Sequence, residues 1–143
     1  LLNSCDKNEK INFVNEKIVD EVLSSEKDTL INLTYAPLNI TDFQYFDCYD
    51  EIIEYKTNGY FTNNSMIKNQ IIDKKMYPNR YSKIALYYID NEKKKAVVLI
   101  HSFDSLKNES LLGGGTDIKK CYFVKKILGI WFVEEKHEIS SVQ

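Results

Sequence analysis

Proline and glycine are scarce in this chain, with 2 and 5 residues among 143, and nowhere does it approach the roughly 20 consecutive apolar residues of a membrane-spanning helix. A transmembrane helix is therefore not expected. Scarce Gly and Pro go with abundant Asn, Lys, Ile and Tyr, the usage of an AT-rich genome, an association that carries no mechanism. The three cysteines, Cys5, Cys48 and Cys121, contain no Cys-x-x-Cys spacing, so neither a zinc site nor a dithiol redox motif is indicated. An excess of either charge is missing too. Nineteen basic against 21 acidic residues leave a net charge of −2, which provides no field to draw in a polyanion, and nucleic acid is not an expected partner. Gly-x-Ser-x-Gly, His-Glu-x-x-His and calcium-loop patterns do not occur. Gly113-Gly114-Gly115 lacks the Gly-Lys-Ser/Thr ending of a nucleotide loop and reads as a connector. No cofactor or metal is expected from these motifs.

What is present describes an ordinary globular domain. A hydrophobic fraction of 43% and an aromatic fraction of 13% suit a chain that buries about two thirds of its unfolded surface without needing a metal or disulfide staple. Ile11, Val14, Ile18 and Val22 recur at spacings of three and four, which predicts a helix from about Asn8 to Ser24. Thr29, Ile31, Leu33 and Tyr35 alternate with more polar neighbours up to Pro37, a short extended segment. Thr41-Asp42-Phe43-Gln44 matches a capping box, and Phe43, Phe46, Tyr49 or Asp50, and Ile53 continue at helical spacing until Gly59. The aromatic density from Phe43 to Tyr49 would also suit a strand. A third helix is predicted from about Asn64 to Lys75, with Met66, Ile67, Gln70 and Ile71 inward, and Pro78 closes the helical half.

From Tyr81 the period changes to two. Ile84–Ile89 and Ala96–Phe103 are strand-like runs joined by Asp90-Asn91-Glu92-Lys93, a hairpin by composition. There Lys93-Lys94-Lys95 reads as a charged tip that blocks edge pairing rather than as a phosphate site. Ile118–Ile127 and Ile130–Ile139 form a second pair joined at Leu128-Gly129. The expected fold is therefore α+β, with N-terminal helices packed on a C-terminal four-stranded antiparallel curved sheet. Its element order resembles the cystatin-like cone of the NTF2-like superfamily, in which a curved sheet wraps the helices. That resemblance is one of element order, without a sequence motif, and implies little about chemistry.

The opening residues carry a more specific resemblance. Leu2-Asn3-Ser4-Cys5, followed by the polar Asp6-Lys7-Asn8-Glu9, is similar to the box that ends a bacterial lipoprotein signal sequence. The resemblance implies that Cys5 is the lipidated first residue of the mature protein. On that reading residues 1–7 are signal remnant, anchor and tether, and residues 8–143 are a single domain held in the bacterial cell envelope, at the outer membrane or facing the periplasm. Cys48 and Cys121 then form an even pair in a compartment that permits disulfides. A bridge would close a loop of more than 70 residues, worth about 4 kcal/mol in the chain-entropy model; two separate buried thiols, packing as small hydrophobes, are the expected alternative.

Imidazole comes only from His101 and His137. His101 shares a strand face with Val97, Leu99 and Phe103, and is either a satisfied core residue or, as the NTF2-like resemblance implies, a cavity base facing Asp42, Asp47 or Asp50. His137, among Glu134, Glu135, Lys136 and Glu138, is expected to be solvated. Tyr87, Tyr88, Tyr122 and Trp131, with His101, are the candidate binding residues, because aromatics at sheet edges serve binding faces. Asn-x-Ser/Thr triplets at Asn32, Asn39, Asn63 and Asn108 are expected by chance in an Asn-rich chain. Three functional readings follow. The first is a non-catalytic, lipid-anchored envelope module that binds a protein partner or serves a larger assembly. The second is an enzyme or small-ligand carrier with a cavity at His101. The third is an inhibitor or immunity protein that neutralises a toxin.

Overall fold

The computed structural model describes residues 4–27, 30, 32–36, 38–58, 80–89, 94–105 and 115–142, with backbone alone for 4–13, 56–58 and 105. In chain order these form α1 (Ser4–Ser25), β1 (Leu33–Tyr35), a 3-10 turn η1 (Ile40–Phe43), α2 (Tyr49–Asn58), β2 (Arg80–Tyr88), β3 (Lys95–Ser105), β4 (Gly115–Ile127) and β5 (Ile130–Val142). The strands make one open sheet in the order β1-β2-β3-β4-β5. The fold is α+β, but the sheet is mixed and has five strands where four antiparallel ones were expected. The four expected strands are present as the antiparallel series β2 to β5. β1 adds the fifth, parallel to β2, with Leu33 opposite Ser82 and Tyr35 opposite Ile84. The third helix expected at 64–75, the hairpin residues 90–93, Gly113 and Gly114 lie outside the described residues.

Alternation explains why so short a segment docks as a strand. Leu33 and Tyr35 are buried and Thr34 is exposed, so one side of β1 faces the core and the other faces solvent. Asn32 turns the chain into it at φ 51°, a left-handed conformation that Asn tolerates better than most residues. Its Nδ2 donates to the Arg80 carbonyl at 2.7 Å, and Ala36 N donates to the Ile84 carbonyl at 3.0 Å. β1 is thus fastened to β2 at both ends.

The sheet is the middle layer of the molecule, with a separate apolar core on each face. On one, Ile18, Val19 and Val22 of α1 pack with Ile84, Leu86, Tyr88, Ala96, Val98, Ile100, Tyr122, Val124 and Trp131. On the other, Phe43 of η1 and Cys48, Ile52 and Tyr55 at α2 pack with Ala85, Tyr87, Val97, Leu99, Cys121 and Phe123. Ile18, Val22, Ile52 and Leu99 are all 0% exposed, each burial worth about 1.5–3 kcal/mol of transfer free energy. Coverage of both faces is why β2 and β3 are apolar without interruption at Ile84–Tyr88 and Ala96–Ile100.

Two helical expectations are corrected. α1 begins at Ser4 and not near Asn8, so its first turn includes Cys5. The helix expected from Thr41 is broken in two. Asn39, not Thr41, caps η1: its Oδ1 accepts from Thr41 N at 3.1 Å and from Thr41 Oγ1 at 2.8 Å, and the true helix starts only at Tyr49. The intervening turn shifts the helical phase by one residue. Ile52 therefore points inward at 0% exposure, and Ile53, expected inside, is 38% exposed.

A buried ionic cluster joins the end of α1 to the sheet. Lys120 Nζ donates to Glu26 Oε1 at 2.6 Å, with the two side chains 1% and 2% exposed. The Tyr122 hydroxyl donates to Glu26 Oε2 at 2.5 Å, and Glu138 Oε1 approaches Lys120 Nζ at 3.4 Å from its more exposed position. The β4–β5 ladder carries one bulge: Phe123 pairs with Glu135 and Val124 with Val133, leaving Glu134 as the extra residue.

Candidate functional site

Alternation divides the five candidate binding residues between the two faces. Tyr88, Tyr122 and Trp131 belong to the core under α1, at 1%, 0% and 6% exposure, and offer no accessible aromatic surface. Tyr87 lies on the opposite face under η1, where its hydroxyl donates to the Leu38 carbonyl at 3.0 Å. Burial pushes the Tyr87 phenol up. These four tyrosine and tryptophan side chains are packing residues. His101 shares the face of Tyr87 but stands four residue positions along the sheet, since Tyr87 pairs with Val97 and Lys83 with His101.

At His101 the structure builds a polar and aromatic cluster. Its Nε2 hydrogen-bonds Asp117 Oδ1, with the two side chains 19% and 12% exposed. Lys119 Nζ lies 3.7 Å from Asp117 Oδ2. The Tyr81 ring stands edge-on to the imidazole at 6.2 Å between centroids and lies 5.5 Å from Phe103, and Lys83 Nζ sits 5.3 Å from the Tyr81 ring. Burial, and then the charge of Asp117, push the Tyr81 phenol up. The carboxylate at His101 is thus Asp117, not Asp42, Asp47 or Asp50, all of which are exposed or part-exposed around η1 and α2. A His oriented by a carboxylate can accept or deliver a proton at a fixed position. His101 is also close enough to the surface to meet a solute.

The same end of the sheet carries a depression of about 250 Å³ lined by Arg80, Ser82, Ser102, Asp104, Thr116 and Ile118, with Tyr81 and Phe103 beside them. Arg80 Nε pairs with Asp104 Oδ2 at 2.9 Å, and the Ser82 and Ser102 hydroxyls hydrogen-bond each other at 2.9 Å. Ser82, Ser102 and Ile118 alternate with Tyr81, His101 and Asp117 along their strands. Depression and His–Asp pair therefore face opposite sides of the sheet and do not form one pocket.

At Cys48 and Cys121 the expectation of buried, unbridged thiols holds. Cys48, immediately before α2, and Cys121, in mid-β4, are both buried and unbridged, and their thiols hydrogen-bond each other. The Cys48 thiol is lowered to about 7, first by the hydrogen bond with Cys121 and also by His137 nearby. Burial, followed by the interaction with Cys48, pushes the Cys121 thiol far up. His137 is not a fully solvated residue, as expected, but part-buried. It pairs across the ladder with Cys121, stands edge-on to Phe123 at 5.8 Å, and meets Glu135 Oε2 at 3.1 Å. Sequence spacing could not bring Cys48 to Cys121, since their proximity depends on α2 lying across β4. The Cys5 side chain is outside the described residues. Among the described residues no group of three or more His, Cys, Asp or Glu is arranged to hold a metal ion, and no helix is long and apolar enough to cross a membrane. No protein-family model, curated protein or solved structure matches this chain.

Proposed function

We propose that this chain is a lipid-anchored domain of the bacterial cell envelope that works without catalysis, as a binding module or accessory subunit held at a membrane surface. The observation that carries the reading is Leu2-Asn3-Ser4-Cys5 with the polar run Asp6-Lys7-Asn8-Glu9 behind it. Acyl chains contribute about 0.8 kcal/mol per buried methylene, so a multiply acylated Cys5 would hold the domain stably on the bilayer. Helix α1 starts at Ser4, so such an anchor would join the helix that packs against the sheet with no long spacer. Intact-mass measurement of the protein extracted from its native membrane tests the reading. A mature chain starting at Cys5 and carrying acyl mass is expected, and Cys5→Ser should abolish processing and membrane retention. A chain that retains Leu1 and an unmodified Cys5 refutes the anchor. Gentle extraction should co-isolate a protein partner, and a monodisperse, solitary protein argues against the subunit role.

A second reading rests on the His101–Asp117 pair. An enzyme or small-ligand carrier of the NTF2-like kind would use an inward-facing His with a carboxylate in reach, and Asp117 supplies that carboxylate. The open sheet, with edge strands β1 and β5, would have to curve around a cavity on the His101 face. Soaking with small-molecule mixtures and locating bound density at His101 would support this reading; saturation of His101 nuclear resonances by none of them would count against it.

A further inference from the structure

We propose that the tip of the β4–β5 hairpin is a membrane-docking site that inserts at the headgroup–acyl boundary of an anionic phospholipid bilayer. The tip is the sequence Ile127-Leu128-Gly129-Ile130. Leu128 is 97% exposed, Ile130 68% and Ile127 45%, so three large aliphatic side chains adjoin at one end of the molecule with no cover among the described residues. Isolated exposed apolar residues are common, but a contiguous group at a projecting turn is not.

Backbone geometry makes the placement of Leu128 more telling. Leu128 and Gly129 have φ of 51° and 81°, the two positive values of a type I′ turn, for which Asn-Gly or Asp-Gly is the favoured pair. Leucine is disfavoured at a left-handed position and gains nothing by standing in water. An asparagine would satisfy the turn and the solvent together. The chain instead holds, in a strained conformation, the side chain least suited to water, and such strain persists at sites where it serves a function.

Charge identifies the surface that would receive it. Lys126 immediately precedes the tip on β4 and reaches over the Trp131 ring at 5.8 Å. Lys125 comes next, paired with Lys95 of β3, and Lys126 N donates to the Lys94 carbonyl at 2.8 Å. Four lysines therefore collar the tip in a chain whose net charge is −2. At about 3.3 Å per residue, the collar on β4 lies roughly 5–10 Å behind Leu128, the depth at which an interfacial segment exchanges acyl chains for headgroups. Apolar points ahead of a lysine ring match an anionic bilayer: aliphatic side chains enter the acyl boundary while the ammonium groups remain among the phosphates.

Docking through the tip needs no acyl chain, so Cys5→Ser removes any lipid anchor from the measurement. Full-length chain carrying Cys5→Ser is sedimented with vesicles of phosphatidylcholine alone or of phosphatidylcholine with phosphatidylglycerol. Binding to the phosphatidylglycerol vesicles, weakened by salt and at least tenfold weaker to phosphatidylcholine, is expected. Leu128→Asn should lower partitioning about tenfold and raise the melting temperature, because it relieves the turn; a lost fold therefore cannot explain its lost binding. Lys125→Gln with Lys126→Gln should abolish the preference for anionic lipid. The proposal is overturned if phosphatidylglycerol vesicles do not retain the protein, if Leu128→Asn binds them as well as the parent, or if the tip proves instead to mediate self-association that Leu128→Asn disrupts without vesicle binding.

Discussion

Replacing Lys120 by Met takes an ammonium group out of a position that is 1% exposed and leaves the Glu26 carboxylate, 2% exposed, without its 2.6 Å cation. Removing one partner of a buried ion pair typically costs about 3–5 kcal/mol, because the remaining charge loses its counter-charge where water does not replace it. For a domain of about 5–15 kcal/mol total stability, that is a large share. Glu26→Gln is expected to cost less, roughly 1–3 kcal/mol: the amide still accepts from Tyr122, and Lys120 keeps the Glu138 carboxylate at 3.4 Å on a partly solvated side chain. The discriminating variant replaces the group as a unit, Lys120→Met with Glu26→Leu and Tyr122→Phe. It removes the Lys120, Glu26 and Tyr122 polar groups together and should recover to within about 1 kcal/mol of the parent, since apolar substitutes for buried ion pairs are often neutral. Urea unfolding followed by the single tryptophan, Trp131, which lies in the same core, reads all three at constant m-value. If Lys120→Met falls within 1 kcal/mol of the parent, or the triple variant is as unstable as the sum of its parts, the cluster is not behaving as a buried, mutually compensated unit.

Alkaline pH should unfold the protein cooperatively. Burial pushes the phenols of Tyr35 and Tyr88 and the thiol of Cys121 far above their ordinary values, so stability is complete below the unfolded values and lost above them, at about 1.4 kcal/mol per pH unit for each group. Tyrosinate absorbance and far-ultraviolet dichroism should change together, and independent titration of all tyrosines in an intact fold would contradict this. Cys48 behaves oppositely. Its thiol is lowered to about 7, so its contribution is complete only above the unfolded value near 9 and disappears as pH falls through 7; melting temperature should rise across that window in the parent and not in Cys48→Ser. Asp117→Asn should remove the carboxylate charge beside His101 and bring the Tyr81 phenol down towards its ordinary value, measurable by nuclear magnetic resonance titration, with a stability loss of about 1–3 kcal/mol. An unchanged Tyr81 titration would show that Asp117 does not act on it.

Local periodicity carried much of the fold. Ile18 and Val22 face the core as their spacing predicts, and the strands β2 to β5 fall where alternating or continuous apolar runs were read, each somewhat longer than expected. What could not be read was whatever depends on pairing across long stretches of chain. β1 was recognisable as extended, but nothing near Leu33 says that Ser82 is its partner. Asp117 was invisible as the companion of His101 because the β3–β4 register, with His101 opposite Lys119, places it on the diagonal. Aromatic abundance did not separate surface from interior: Tyr88 and Tyr122 are buried in the core under α1. The split of Thr41–Gly59 into η1 and α2 turned on Asn39, whose side chain competes for the backbone that Thr41 was expected to cap.

The bulge at Glu134 makes the number of residues in β5, more than their identity, a condition of the fold. Ahead of it Trp131 and Val133 face α1, whereas beyond it Lys136 and Glu138 do so and Ile139 belongs to the opposite core. Odd and even positions exchange sides at a single exposed residue. Glu134 can therefore vary freely in side chain, yet its deletion would force one half of the strand to turn over. Either Trp131 leaves its core, or Ile139 and His137 leave theirs and Glu138 leaves Lys120. One dispensable glutamate thus occupies an indispensable place in the count.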